Sequence, residues 1–276
     1  DSPVRPEAAA LRGLVQVLAQ ESSEVRVRLI DVGAAPDPAA LRGELAAGPE
    51  EPVFAALSGR QRYLPCPVSL REAVAAGSLP EGAVVLITGG LGEVGLQLAA
   101  HLAARPVRLV LSSRVGLLAR SEWEGWLSSH AATDPSARRI RLIQELEERG
   151  AEVLPVAADV ADLRAMTALM ERIQERWGRL DLVIHAAGLA GSAAWRSLAD
   201  TGPEQLDAHL RPKLDGGRLL VQLLPTSCRL VLLSSISTVL GGVGLGAYSA
   251  ANHALEALAL GSGGRAQALA YDAWGP

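Results

Sequence analysis

Lysine is almost missing from this chain: Lys213 stands alone among 276 residues, against 25 arginines. Aromatic residues make up only 3%, with one Phe and three Tyr, which excludes a ring-stacking platform for nucleic acid. A net charge of −4 gives no basic face for a polyanion. Two cysteines, Cys66 and Cys228, lie far apart without a Cys-x-x-Cys, so neither a disulfide framework nor a cysteine metal site is expected. The five histidines (101, 130, 185, 209 and 253) show no metal-ligand spacing, and His185 reads as a packed residue closing an apolar strand. No apolar run reaches membrane-spanning length, and the first residues, DSPVRPEAAA, lack the hydrophobic stretch of a signal peptide. A cytoplasmic protein is expected, with no metal, nucleic acid or membrane among its partners.

What is present is a strong alternation of strands and helices. With 49% hydrophobic residues the chain can bury a sizeable core. From residue 83 onward the pattern gives strands at 84–88, 107–112, 152–157, 180–185, 229–234 and 266–271. Helices are expected at 93–104, 136–149, 162–177, 203–224 and 247–260. Continuous Val/Ile/Leu strands between helices imply a parallel sheet covered on both faces, here a doubly wound Rossmann fold in the order 3-2-1-4-5-6. The segment 116–141 lengthens the connection after the second strand, and its Trp123 and Trp126 fit the apolar stripe of a surface helix.

Residues 1–82 read differently. A helix (6–20), a strand (25–31), a short helix (38–47) and two strand-like runs (53–57, 61–64) precede a Pro/Gly-bearing linker at 65–82. PEAAALRGLV…VRLIDVG at 6–33 faintly repeats YSAANHALEAL…LAYDAWG at 248–275, with Pro6 where the later copy has Tyr248. The expectation is a truncated, degenerate Rossmann-like structural subdomain with no catalytic role over 1–82, followed by a catalytic subdomain over 83–276.

Thr88-Gly89-Gly90-Leu91-Gly92-Glu93-Val94-Gly95 stands between a strand and a helix, where a pyrophosphate can approach the backbone and meet a helix N-terminus. The second strand closes on Ser113 and Arg114 rather than on an acidic residue; an arginine there can clamp a ribose 2′-phosphate, which favours NADPH over NADH. Asp159 and Val160 follow the third strand, and Asp159 either accepts from an adenine amino group or caps a helix. Ala186-Ala187-Gly188 closes the fourth strand with small residues that let nicotinamide and ribose lie near the backbone.

Downstream of this turn stand Lys213, Ser235, Tyr248 and, one helical turn later, Asn252. Compositional bias explains why lysine is scarce but not why the survivor sits here. A phenol near pKa 10 is a weak acid at neutral pH, and a neighbouring ammonium favours its ionised form. Tyr248 is thereby a candidate proton donor to a reduced ketone, with Lys213 as its ammonium and as a holder of ribose hydroxyls. Ser235 would donate to the carbonyl oxygen, and Asn252 would fix a proton relay.

TGGLGEVG, the Ala-Ala-Gly at 186–188, and Ser235 with Tyr248-x-x-x-Asn252 resemble the short-chain dehydrogenase/reductase superfamily over 83–276. LVLSSR, His185-Ala-Ala-Gly, LLSSISTVLGGVGLGAYSAANHALEALA at 232–259 and the closing AWGP are similar to ketoreductase domains of modular polyketide synthases. That resemblance implies a reductase preceded by a truncated, cofactor-free structural subdomain. It assigns Tyr248, Ser235, Lys213 and Asn252 to catalysis and Arg114 to the NADPH 2′-phosphate. The implied reaction is reduction of a β-ketoacyl thioester on the phosphopantetheine of an acyl carrier protein, among neighbouring synthase domains. The chain departs from the family in three places. Leu189-Ala190-Gly191 replaces a Leu-Asp-Asp that marks one hydroxyl configuration, and Leu240 replaces a Trp that marks the other. The sequence closes at Gly275-Pro276, where the family continues into a lid helix. A free-standing short-chain reductase and a catalytically silent or epimerising domain stay open as alternatives.

Overall fold

The computed structural model describes residues 4–33, 35–48, 50–68, 79–189, 191 and 195–272. Residues 69–78 of the expected linker, Ala190 and the closing 273–276 lie outside the described residues.

Strand β4 (Ala83–Thr88) is buried at every position, as its unbroken AVVLIT requires of a strand covered on both faces. Around it lie β5 (Val107–Ser113), β6 (Glu152–Ala157), β7 (Leu182–His185), β8 (Arg229–Ser235) and β9 (Ala266–Tyr271). All pairings are parallel and the spatial order is β6-β5-β4-β7-β8-β9, the doubly wound arrangement expected from the sequence. One face is packed by Leu96 and Ala99 of α3 (Glu93–Leu102), Trp123 of α4 (Trp123–Ser129), and Ile140, Ile143 and Leu146 of α5 (Pro135–Glu148). The other face takes Met166, Leu169 and Ile173 of α6 (Leu163–Trp177), together with Leu220 and Leu255. Asp134 caps α5 through Ala137 N at 2.8 Å, and Asp162 caps α6 through Arg164 N and Ala165 N.

The helix expected over 203–224 is instead three pieces. Helix α7 (Pro203–Leu210) widens into a π-helical turn at Arg211–Asp215 before α8 (Gly216–Leu223) resumes regular geometry. Pro212 lacks an N–H and its ring crowds the preceding turn, so the ladder relaxes into the wider form there. This bulge turns Lys213 inward, where it is buried. Past β8 come α9 (Ser237–Leu240), which the sequence pattern did not indicate, and α10 (Gly246–Gly261).

The N-terminal residues form α1 (Pro6–Glu21), β1 (Leu29–Val32), α2 (Pro38–Leu45), β2 (Phe54–Ser58) and β3 (Gln61–Tyr63). β1 begins four residues later than the apolar pattern at 25–31 suggests; it pairs parallel with β2, which pairs antiparallel with β3. Buried Glu44 ties this small sheet together by ion pairs to Arg28 at 2.6 Å and to Arg62. The unit docks through α1 onto α10. Gly13 sits at the crossing, where a Cβ would lie 2.3 Å from Ala250 N, and Ala10, Ala250 and Ala254 line the contact. Backbones this close tolerate no side chain at position 13.

Candidate functional site

The ends of β4, β7 and β8 and the turns that follow them converge on one edge of the large sheet. Gly89, at φ +70, makes the turn after β4, and a Cβ on it would stand 2.8 Å from Ala187 Cα. Gly90 N donates to Ser112 O at 2.9 Å, which binds the turn to the end of β5. Gly92 is the N-cap of α3, and no side chain caps that helix, so its first-turn amides face the turn without a side-chain acceptor. Leu91 and Gly95 are buried, and Val94 packs its side chain into the core layer under α3. Arg114 is exposed, and its guanidinium pairs with nothing among the described residues. An open helix N-terminus with a free cation at the end of the neighbouring strand fits a phosphorylated dinucleotide.

Several predicted cofactor residues carry other bonds. Thr88 is fully buried, and its hydroxyl donates to Nδ1 of His185 at 2.7 Å. Ser113 Oγ donates to Val115 O at 2.6 Å. Asp159 accepts from Ala161 N at 3.0 Å and pairs with Arg211 at 2.9 Å. Its carboxylate therefore shapes the turn after β6, while the N-cap of α6 is Asp162. Val160 is buried beneath the bulge, where a Cβ on Gly216 would meet it at 2.7 Å.

Lys213 crosses below the end of β7. Its Nζ donates to Leu233 O at 2.8 Å, two residues before Ser235, and a Cβ on Gly188 would lie 3.1 Å from its Cε. Burial pulls this ammonium down to about 8, while the Glu256 carboxylate nearby opposes the shift. Glu256, on α10, accepts from Ser234 Oγ at 2.5 Å and from Thr238 Oγ1 at 2.9 Å. Ser235 is buried, and its Oγ accepts from Ser237 N at 3.2 Å. Tyr248 is half-buried on the first turn of α10, edge-on to His209 with ring centroids 6.2 Å apart, and its hydroxyl has no hydrogen-bond partner among the described residues. Asn252 Nδ2 donates to Tyr248 O at 3.0 Å, leaving a buried Oδ1 without a partner. Of the four predicted catalytic residues, Lys213 thus reaches β8 at Leu233, two residues before Ser235, and Tyr248 and Asn252 share one helix turn.

Sequence reasoning gave no role to Glu256 or His209, and it read His185 as a packed strand-end residue, which its full burial matches. Burial and the Lys213 charge lower His209, and burial and Lys213 hold His185 at about 3. His185 is thus neutral, with Nε2–H donating to Lys213 O at 3.3 Å and Nδ1 accepting from Thr88. Burial, with Arg12, also depresses His253 to about 4. Both folded values lie below that of free histidine, so between pH 6.5 and these values the unfolded chain takes up protons that the native chain refuses. The contribution is full above pH 6.5 and is lost as pH falls. The thermal midpoint should therefore drop from pH 7 to pH 5 in calorimetry; an unchanged midpoint would contradict neutral burial of both rings.

A doubly wound sheet with a glycine turn after its first strand, and with Lys, Ser, Tyr and Asn gathered at the same edge, defines a short-chain dehydrogenase/reductase fold. The family model described as KR domain matches residues 83–275. The chain belongs to this family, the ketoreductase domains of polyketide synthases. Erythronolide synthase EryA3 of Saccharopolyspora erythraea is 33% identical over 282 residues, which is 99% of this chain but 8% of that protein. Phenolphthiocerol synthesis polyketide synthase type I Pks15/1 of Mycobacterium marinum is 40% identical over 181 residues, 64% of this chain and 8% of the relative. The chain therefore spans only a small fraction of these curated relatives. Among solved structures, an A1-type ketoreductase superposes with a TM-score of 0.78 at 33% identity, covering 98% of this chain and 55% of that one. The ketoreductase from the first module of phoslactomycin biosynthesis in Streptomyces sp. HK803 gives 0.77 at 30% identity, covering 98% and 60%. Among the described residues no helix is long and apolar enough to cross a membrane.

Proposed function

We propose that the chain reduces a β-ketoacyl thioester, carried on the phosphopantetheine arm of an acyl carrier protein, to the β-hydroxyacyl thioester with NADPH. Residues 1–82 serve as the non-catalytic unit and 83–276 as the catalytic one, working beside other synthase domains. The observation that carries the reading is the buried Lys213 ammonium, held by Leu233 O on β8, two residues before Ser235. A buried cation that is not fully paired costs stability, so its retention here points to use in chemistry.

The cofactor, when bound, supplies a hydride to the ketone carbon. The Gly89–Gly95 turn and the open N-terminus of α3 would hold its pyrophosphate, and Arg114 its 2′-phosphate. Ser235 Oγ orients the carbonyl oxygen by donating to it. Tyr248 gives its phenolic proton to that oxygen as negative charge develops there. The Lys213 ammonium stabilises the phenolate left behind, and the unpaired Oδ1 of Asn252 anchors the path by which the proton is replaced.

Oxidation of NADPH, followed by absorbance in the presence of a β-ketoacyl thioester, tests the proposal. Folded protein that consumes none would leave a silent scaffold. Arg114→Ala should raise the KM for NADPH by about 10- to 100-fold, the value of one or two charge-assisted bonds, and leave NADH nearly unaffected. Equal losses with both cofactors would remove the phosphate clamp.

A further inference from the structure

Helix α1 belongs to the N-terminal unit, yet three of its side chains reach the segment that carries the chain from Ser235 to Tyr248. Gln16 Nε2 donates to Val239 O at 2.7 Å. Gln20 uses both ends of its amide, Nε2 donating to Leu240 O and Oε1 accepting from Gly242 N, each at 2.7 Å. Glu21 uses both carboxylate oxygens: Oε1 accepts from Gly244 N and Oε2 from Leu198 N, each at 2.8 Å. The two segments so gripped are also joined to each other. Arg196 N donates to Gly244 O at 2.8 Å, and Gly246 lies so near Leu198 that a Cβ there would stand 2.3 Å from its Cδ2.

Helix stability does not call for Glu21. It is the last residue of α1, where a carboxylate faces the negative end of the helix dipole, and no basic residue occupies that last turn. Its two partners are backbone N–H groups outside the helix, so its placement serves the loops. Those loops carry large apolar side chains into solvent: Trp195 is 68% exposed, Val243 67% and Leu240 62%. Exposed apolar groups this close together mark a contact surface. One segment leads directly into Tyr248 and the other is joined to it at Gly244 and Gly246, so what they would contact is the substrate entering toward that residue.

We propose that Gln20 and Glu21 are positioning residues for substrate selection, fixing the Leu198 and Leu240–Gly244 backbones so that the apolar rim meets the acyl chain in one orientation. The proposal rests on the reductase reading for the identity of that substrate. It gives the non-catalytic unit a direct role in which ketones are reduced and on which face. The grip itself is independent of that reading.

The test pairs kinetics with amide hydrogen exchange on the full chain. Glu21→Ala and Gln20→Ala should keep NADPH affinity and raise KM for the β-ketoacyl thioester about tenfold, because small displacements of a binding wall weaken positioning. The ratio of hydroxyl enantiomers should move toward parity. Glu21→Gln, which keeps a single acceptor oxygen, should fall between wild type and Glu21→Ala. Exchange at the Gly242 amide should quicken in Gln20→Ala, and at the Gly244 and Leu198 amides in Glu21→Ala. Unchanged exchange would overturn the grip. Faster exchange with KM and enantiomer ratio unmoved would overturn the selective role, as would parallel losses in thermal midpoint, NADPH affinity and kcat. If wild-type protein reduced no β-ketoacyl thioester, the reductase reading would fall; calorimetric binding of the unreacted thioester would then replace KM, and equal affinities in wild type and Glu21→Ala would overturn the selective role by itself.

Discussion

Tyr248→Phe should lower kcat for ketone reduction by about 10³-fold while leaving NADPH affinity within about twofold, since a positioned proton donor contributes 10²- to 10⁴-fold. The substitution deletes one oxygen and keeps the ring. That ring's surroundings do not depend on the hydroxyl: Asn252 holds the backbone carbonyl of residue 248, and Ser249 Oγ holds Ser237 O at 3.0 Å. His209 meets the ring edge-on, a contact phenylalanine preserves. The hydroxyl makes no hydrogen bond among the described residues, so its removal leaves no buried group newly unpaired there. Fold and cofactor site should therefore survive, and the loss should fall on the chemical step. Cofactor binding by fluorescence and single-turnover reduction of a β-ketoacyl thioester separate the two. Turnover near that of wild type would refute Tyr248 as the acid.

The large sheet was legible because its strands are unbroken apolar runs. AVVLIT can only be a strand buried on both faces, and the helices between the strands carry one apolar stripe each. The glycine turn was legible because its spacing answers to backbone approach, seen in the 2.8 Å that a Cβ on Gly89 would leave to Ala187. What escaped depends on contacts between distant residues. The bulge at Arg211–Asp215 hides inside a helical pattern, and Pro212 was its only local sign. Asp159 carries the right residue type for an adenine contact, but nothing local says that Arg211 pairs with it. Glu256 reads as an ordinary helix polar residue until β8 brings Ser234 against it. The three residues of α1 that grip the 239–244 loop lie more than 200 positions away along the chain. Periodicity reports the environment of an element; it does not report which distant backbone a side chain will meet.

Lys213→Arg should fail as a reductase, with kcat/KM reduced by at least about 100-fold, even though the charge is conserved. The lysine threads a narrow path: its Cε passes where a Cβ on Gly188 would sit 3.1 Å away, and its Nζ reaches Leu233 O at 2.8 Å. A planar guanidinium is bulkier than the ammonium it would replace and carries its donors in a rigid fork. It also differs in titration. Burial holds the lysine at about 8, below its ordinary 10.5, so the ammonium is present below that value and lost as pH rises through it. In wild type, kcat/KM for NADPH, which reports the free enzyme, should decline as pH rises through about 8; in Lys213→Arg the residual activity should lack that limb, because arginine stays charged. Stability should move the other way. Since the folded state disfavours the charged form, the native chain is destabilised at pH 7 and regains stability between about pH 8 and 10.5, where only the unfolded chain still binds the proton. Lys213→Met, which removes the buried charge and keeps an unbranched side chain, should therefore raise the thermal midpoint at pH 7 while abolishing turnover. A Lys213→Met chain that melted lower than wild type would show that the ammonium stabilises the fold, and the argument that it is retained for chemistry would fail with it.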